Sequence, residues 1–574
     1  MRGPAVRLFR TYVAPQWRQA SLLSALLAAS IVLQLVNPQL LRFFIDSALA
    51  GASLQPLILA ALAFIVVALA TQLLSAAAQY VGQSLGWTAT NALRADLTLH
   101  CLRLDLGFHK SRTAGELVER IDGDVTALAG FFSRFAVTLI GNAALLVGVL
   151  VMVWREDWRA GAALTLFAAA AALTLWRLRT VAVERWRRQR EVSAQMFGFF
   201  GERLAGTEDI RSSGAVSYVM RELGRHHGAW LAARRGATVG TSTIYSSTIV
   251  TFAVGTATAF AVGGSLWLAG TITLGTVYLL FYYTDLLRRP IEQIRRELED
   301  MQQAFASIAR VNELLEIEPR LRDGTRPLRS GALDVEVDAV SFAYEQEPVL
   351  RDVSLHVAPG RVLGLLGRTG SGKTTVARLL LRFYDPASGA VRLGGIDLRE
   401  AGLADIRARA TLVSQDVQLF HASVRDNVTL FDRSVDDARA REALERLGLG
   451  EWLRSRTGGL DAEMTADSLS AGEAQLLALA RAFLRDPGLV ILDEASSRLD
   501  PATERRVERA IDTLLRDRTG LVIAHRLETL ERCDEIAILE QGSVVERGPR
   551  AALAAQASSR FAHLLRTGLQ EVLV

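Results

Sequence analysis

Gly367–Thr375 reads GRTGSGKTT, preceded by the apolar run VLGLL and followed by VARLLLRF. The spacing G-x-x-x-x-G-K-[ST] between a strand and a helix is that of a phosphate cradle. Small residues there let backbone amides wrap an anion at a helix N-terminus. Gly367, Thr369, Gly370, Ser371, Gly372 and Thr375 would form the wrap. Lys373 would reach the β- and γ-phosphates, and Thr374 would offer its hydroxyl to Mg2+. Lysine and arginine together number 65, yet Lys110 and Lys373 are the only lysines. In a chain that writes nearly every cation as arginine, each lysine raises a question of chemistry.

Leu489–Glu494, LVILDE, has the pattern of a buried strand that ends in two acids. Asp493 at the strand's end would hold Mg2+ beside the phosphate cradle, directly or through water. Glu494 would orient or deprotonate the attacking water. The plain alternative is a strand with a polar terminus. The run GLVIAHRLETL places His525 at the end of another apolar strand. A lone histidine there is ordinarily structural, but the spacing from Glu494 suits a third strand of the same sheet, with the ring facing the γ-phosphate.

These residues need a sheet to hold them, and the chain offers more than that. It has 574 residues, half of them hydrophobic, which is too long for one ordinary domain and too apolar for an average soluble protein. The formal charge is +4, but the arginines fall between apolar runs and make no basic face or tail, so nucleic acid is not an expected partner. Two cysteines, Cys101 and Cys533, are too few and too far apart for a disulfide framework or a metal cluster, and a reducing compartment suits both. The first apolar run is too long for the core of a cleavable leader.

Six apolar stretches, roughly 20–46, 56–86, 134–154, 160–178, 243–268 and 273–290, are each near the length of a bilayer-crossing helix. LLSALLAASIVLQLV and LLVGVLVMVW carry no charge at all, which argues against helices of a large soluble core. The links ALAGASLQP and LAGTIT carry no Lys or Arg, whereas those after spans two and four are long and arginine-rich. The long links and both termini should therefore face the cytoplasm, with the short REDWRAG link a mild exception. LRADLTLHCLRLDLGF and MFGFFGERLAGTEDI keep a helical spacing, so the long links read as helical extensions with tips near 108–120 and 212–223. A bend is expected near Pro290.

After the Pro/Gly/Arg-rich stretch 318–332 the period changes. LDVEVDAVSFAY alternates as a strand, and short Val/Leu/Ile runs then alternate with helical patterns. The expected organisation is multidomain: an all-α six-helix transmembrane domain (1–317), a linker (318–332) and an α/β P-loop nucleotide-binding domain (333–574).

With these motifs in this order, the chain resembles an exporter-type ATP-binding cassette half-transporter over essentially its whole length. The resemblance implies ATP and Mg2+ as cofactors and further roles for matching residues. FAYEQEPVL looks like the adenine-stacking loop, with Tyr344 as the ring. LVSQDVQLF looks like the glutamine loop, with Gln415 near Mg2+ and in contact with the membrane half. SSRLD looks like the loop crossing the dimer interface, ending at Asp500, and LSAGE at 469–473 holds the signature position. HKSRTAGELVERIDGDV and GERLAGTEDIRSSGA resemble the two coupling segments. In this family two nucleotide domains pair head to tail, so Ser470, Gly472 and the amides around them would meet a partner's γ-phosphate.

LSAGE departs from the family wording, with Ala471 for a glycine and Glu473 for a glutamine. One reading is drift in a symmetric homodimer. The other is division of labour, as in heterodimeric exporters such as the antigen-peptide transporter, where the subunit with intact Glu494 and His525 equivalents carries the altered signature. That reading gives one fast site, a second half-transporter as partner, and a place in the bilayer of a bacterial inner (plasma) membrane. The segment GLDAEMTADS before the signature is short and lacks the family's glycine-rich, charged run. Rival functions are an importer of metal–siderophore complexes built on the same fold, a soluble DNA-acting ATPase excluded by the six spans, and an ATP-gated channel. Gln34, Asp46, Tyr245, Thr248, Tyr278, Tyr282, Tyr283 and Asp285 are candidate cavity residues, which suit a small hydrophobic or amphipathic cargo such as a drug, lipid or peptide.

Overall fold

The computed structural model describes residues 2–134, 139–465, 468–493, 501–524 and 528–567. They fall into two compact units, Met1–Arg103 with Thr113–Ile317, and Leu104–Arg112 with Glu318–Val574.

The first unit is helical. Trp17–Leu49, Leu54–Arg103, Gly141–Glu156, Trp158–Ala205, Val216–Leu268 and the pair Leu274–Leu286 and Arg288–Leu315 carry the six expected spans in order. The opening residues of span three, 135–138, lie outside the described residues. By length and composition Val6–Leu49, Leu54–Arg103 and Val216–Leu268 can each cross a membrane. The second, fourth and fifth helices run for 50, 48 and 53 residues. At about 1.5 Å per residue each is about 75 Å long, against about 30 Å of hydrocarbon, so more than half of each projects beyond it. The expected extensions are therefore continuous with the spans. The sixth span divides at Leu287, which keeps helical backbone angles between the last two helices. Pro290 sits in the first turn of Arg288–Leu315, where its missing N–H costs no helical bond.

Polar side chains tie the short-link ends of these helices together. Asp46 accepts from Gly275 N–H and Thr273 Oγ1, both at 2.8 Å, at the start of Leu274–Leu286. Arg42 donates to Glu156 Oε2 at 2.7 Å, so the arginine-bearing REDWRAG link supplies an acid that answers Arg42. Gln39 donates to Tyr283 Oη, which donates to Leu35 O at 3.0 Å. Asp46 thus caps this helix while staying part-exposed, and Tyr283 is fully buried, so it packs rather than lines a cavity. Thr248 is likewise buried, with its hydroxyl on Ile244 O of its own helix. Asp46→Ala leaves a helix N–H without its acceptor and is expected to cost about 1–3 kcal/mol, read as a lower thermal midpoint in detergent.

The second unit is built on two sheets. The smaller has the order β2-β1-β4-β5, from β1 (Val335–Tyr344), β2 (Glu347–Val357), β4 (Ser388–Leu393) and β5 (Ile396–Asp397), all antiparallel. The larger, β12-β11-β3-β10-β9-β6, contains β3 (Val362–Leu366), β6 (Ala410–Val413), β9 (Leu489–Asp493), β10 (Thr519–Ile523), β11 (Glu535–Glu540) and β12 (Ser543–Pro549). Of its five pairings four are parallel, and only the edge strand β12 runs antiparallel to its neighbour. A short pair, β7 (Ala422–Ser423) and β8 (Glu463–Met464), stands apart.

β3 and β10 are buried along their whole length, which explains their unbroken apolar sequence. On β9 the alternation of the strand splits the side chains between two cores. Leu489 and Ile491 join the cluster beneath the phosphate-loop helix, while Val490 and Leu492 join the one that contains Leu476, Leu477 and Ala480. Cys533 lies in the second cluster, where burial pushes its thiol up to about 12, so it is a packing residue.

Candidate functional site

The parallel strands converge on one edge. β10 lies between β3 and β9, with Ile523 level with both Leu365 and Asp493. The loop that leaves β3 and the acid that ends β9 therefore meet at the carboxyl end of the sheet, where α/β sheets bind ligands. Thr374 Oγ1 donates to Asp493 Oδ2 at 3.3 Å, so two residues 119 positions apart touch. His525 follows β10 by two residues, but His525, Glu494 and Asp500 lie outside the described residues.

The phosphate loop has the form its glycines require. Gly367, Gly370 and Gly372 have φ of 148°, 82° and 105°. At Gly372 a Cβ would meet Leu350 Cδ2 at 2.5 Å, and at Gly367 it would meet Leu539 O at 2.2 Å, so side chains are excluded by space as well as by backbone. Thr369 sits in this loop, and Lys373, Thr374 and Thr375 open the helix Lys373–Leu380. Lys373 is buried and its Nζ donates to Gly367 O at 2.5 Å and Arg368 O at 3.1 Å, bracing the loop from within. Ser371 Oγ is buried with no hydrogen-bond partner among the described residues. A buried cation, an orphaned hydroxyl and a helix N-terminus all open to the same loop are what a polyphosphate needs. The residues present fit a nucleoside triphosphate.

Tyr344 is the last residue of β1 rather than a loop residue. Its hydroxyl is fixed by Arg378 Nη1 (3.1 Å) and Thr375 Oγ1 (3.3 Å) of the phosphate-loop helix, and Phe342 and Tyr384 pack edge to face with it. Gln415 follows β6, whose Val413 lies level with Leu492, so it emerges beside Asp493's strand. Ser470 caps the helix Ala471–Leu484, in which Gly472 is buried. Here the altered residue of LSAGE has a definite job. Glu473 Oε2 accepts from Ser470 N–H and from Ser470 Oγ, both at 2.9 Å, and Glu473 N–H donates back to Ser470 Oγ at 3.3 Å. That is a capping box closed by a carboxylate. Ala471 is the first helical residue and has no left-handed backbone, so the methyl group strains nothing within the chain.

Sequence reasoning missed the supports of this site. Gln475, buried in the signature helix, donates to Gln415 O at 2.6 Å and Ser414 O at 3.3 Å. One turn and a half on, Arg481 donates to Asn427 O at 2.7 Å and Gln418 O at 2.9 Å. Its burial pushes the guanidinium down to about 10, which still leaves it charged at neutral pH. The glutamine loop is thus pinned twice to the helix that begins at Ser470. A glutamine and an arginine within an apolar helical run were the available signals. Lys110 was also missed as a neighbour of Tyr344, although its rarity had marked it.

A phosphate cradle at the carboxyl edge of a parallel sheet, joined to a unit of membrane-length helices, defines a P-loop nucleotide-binding machine in a membrane protein. Residues 350–497 match the ABC transporter family model and 22–291 the ABC transporter transmembrane region. The ATP-dependent lipid A-core flippase of Photorhabdus laumondii is 30% identical over 480 residues, covering 80% of each chain. That of Vibrio parahaemolyticus is 30% identical over 504 residues, covering 84% of each. A solved bacterial Atm1-family ABC exporter with ATP bound has the same fold, with a TM-score of 0.81 over 96% of this chain and 98% of its own, at 24% identity.

The chain belongs to the ATP-binding cassette transporters. It carries the membrane and nucleotide-binding units of an exporter-type half-transporter in one polypeptide and is an ATPase coupled to transport.

Proposed function

We propose that this chain is one half of a heterodimeric exporter with one fast hydrolytic site, which moves a hydrophobic or amphipathic molecule across a bacterial inner membrane. The observation that carries the reading is the closed capping box. Ser470 is the residue that resemblance aims at a partner's γ-phosphate, and its N–H and hydroxyl both point to the Glu473 carboxylate instead. Charge-assisted bonds of this kind are about twice as strong as neutral ones. The carboxylate also brings a negative charge to the helix end meant for an anion. Such a signature favours slow turnover in the partner's loop and leaves this chain's own loop to hydrolyse against a better one. The unstrained Ala471 is what favours the rival, a homodimer with two equivalent sites.

In the fast site, Mg2+ would neutralise the phosphate oxygens between Thr374, Asp493 and Gln415. Lys373 holds the β- and γ-phosphates, while Tyr344 stacks the adenine. Glu494 accepts a proton as water oxygen bonds to the γ-phosphorus and the bond to the ADP oxygen breaks, with His525 orienting the γ-phosphate. Asp500 belongs to the loop across the interface, and Ser470 with Gly472 serves the partner's nucleotide. Relatives named for a lipid flippase support an amphipathic cargo. The arginine-rich long links support a cytoplasmic nucleotide-binding unit and cytoplasmic termini.

Glu473→Gln separates charge from cap, because glutamine also closes a capping box. In a pair whose fast site is silenced by Glu494→Gln it is expected to raise the residual ATP turnover about three- to tenfold by improving the slow site. The measurement is steady-state ATPase with the partner's own catalytic glutamate replaced in a parallel sample, where the gain should vanish. Unchanged residual turnover in the Glu494→Gln pair sinks the charge argument.

A further inference from the structure

Lys110, one of the chain's two lysines, lies with its ammonium 4.8 Å from the centroid of the Tyr344 ring. This is cation–π range, with the cation held by the negative face of the ring. The segment Leu104–Arg112 that carries it belongs to the nucleotide-binding unit, although chain on both sides belongs to the helical unit. Its seat does not depend on Lys110. Leu104 is buried, Asp105 accepts from Arg320 N–H at 2.5 Å and Leu321 N–H at 3.4 Å, and a Cβ at Gly107 would meet Tyr384 Cε1 at 3.6 Å.

Tyr344 has little freedom. Its hydroxyl is tied to Thr375 and Arg378, and its packed side is made by buried Phe342 and half-buried Tyr384. One face lies beneath Lys110, whose own side chain is exposed. An adenine that stacks on this ring needs an open face.

We infer that Lys110 and the adenine base compete for one face of Tyr344, which makes Lys110 a positioning residue that links nucleotide binding to the seat of Leu104–Arg112. The inference rests on Tyr344 as the adenine ring, but not on the heterodimer. The link is reciprocal: whatever the lysine gains on the ring is subtracted from base stacking, and stacking frees the lysine from the ring. Because the segment continues directly into Leu54–Arg103 on one side and Thr113 on the other, occupancy of the ring reaches the helical unit along the chain itself.

The sign of the effect is what separates competition from simple charge. A lysine near a polyphosphate attracts it, so losing a bystander lysine would weaken nucleotide binding. Losing a competitor strengthens it. The test is equilibrium binding of ADP and of pyrophosphate to the full-length chain in nanodiscs, for Lys110→Met, Lys110→Arg, Tyr344→Leu and the Lys110→Met/Tyr344→Leu pair. Lys110→Met is expected to bind ADP about two- to fivefold more tightly, with pyrophosphate unchanged and Lys110→Arg like the wild type. In the Tyr344→Leu background the Lys110 substitution should have no effect. Unchanged or weaker ADP binding by Lys110→Met overturns the inference, as does an equal shift for pyrophosphate. Separately, if Tyr344→Leu fails to weaken ADP binding, Tyr344 is not the adenine ring, and that result stands whatever Lys110 does.

Discussion

Lys373→Met is expected to leave the protein folded and membrane-inserted while ATP turnover falls at least about 100-fold, the usual cost of removing one preorganised charge from a phosphoryl-transfer site. Two observations make the loss specific. The ammonium is buried, so no solvent-exposed arginine can take its place, and it donates to Gly367 and Arg368 carbonyls across the loop. Methionine fills the volume but donates nothing. Arginine should not rescue it, because the forked guanidinium does not fit where a compact ammonium is braced by two carbonyls. Steady-state ATPase and nucleotide binding, measured on the same preparation, check this. Loss of the folded protein itself would place Lys373 in the architecture rather than the chemistry.

Glu494→Gln is the second large effect. In sequence the residue follows Asp493, whose Oδ2 meets Thr374 Oγ1 where the phosphate loop and β9 converge. Glutamine keeps the shape and removes the base, and general-base assistance contributes about 100- to 10,000-fold. In the proposed pair, turnover should therefore fall to a small residue from the slow site, while ATP binding persists. Turnover reduced only by half would indicate two equivalent sites.

Much of this site is legible in the chain because its signals are local. VLGLL followed by GRTGSGKTT specifies strand, cradle and helix within fifteen residues, and the structure delivers them as β3, the left-handed glycines and Lys373–Leu380. LVILDE is read the same way, and Asp493 arrives beside Thr374. The six spans are legible because the bilayer imposes a length. What stayed hidden is contact between distant segments. Asp46 read as a charge inside a span and turned out to cap a helix that begins some 227 residues later. Tyr344 read as a ring in a loop, yet it ends a strand and its hydroxyl is spoken for by Thr375 and Arg378. Glu473 read as a substituted letter, whereas its meaning lies in two bonds to Ser470 that depend on rotamers no periodicity encodes. Lys110 is the intermediate case, marked by rarity but placed only by the fold.

The most direct measurement of the central claim is ATP turnover by this chain purified alone, beside the same chain co-purified with a second half-transporter encoded next to it. The account predicts little activity and no stable dimer for the chain alone, and an active pair silenced by Glu494→Gln in this chain. Robust, dimeric activity from the chain alone, silenced by the same substitution, would contradict it and make LSAGE a tolerated spelling in a symmetric exporter.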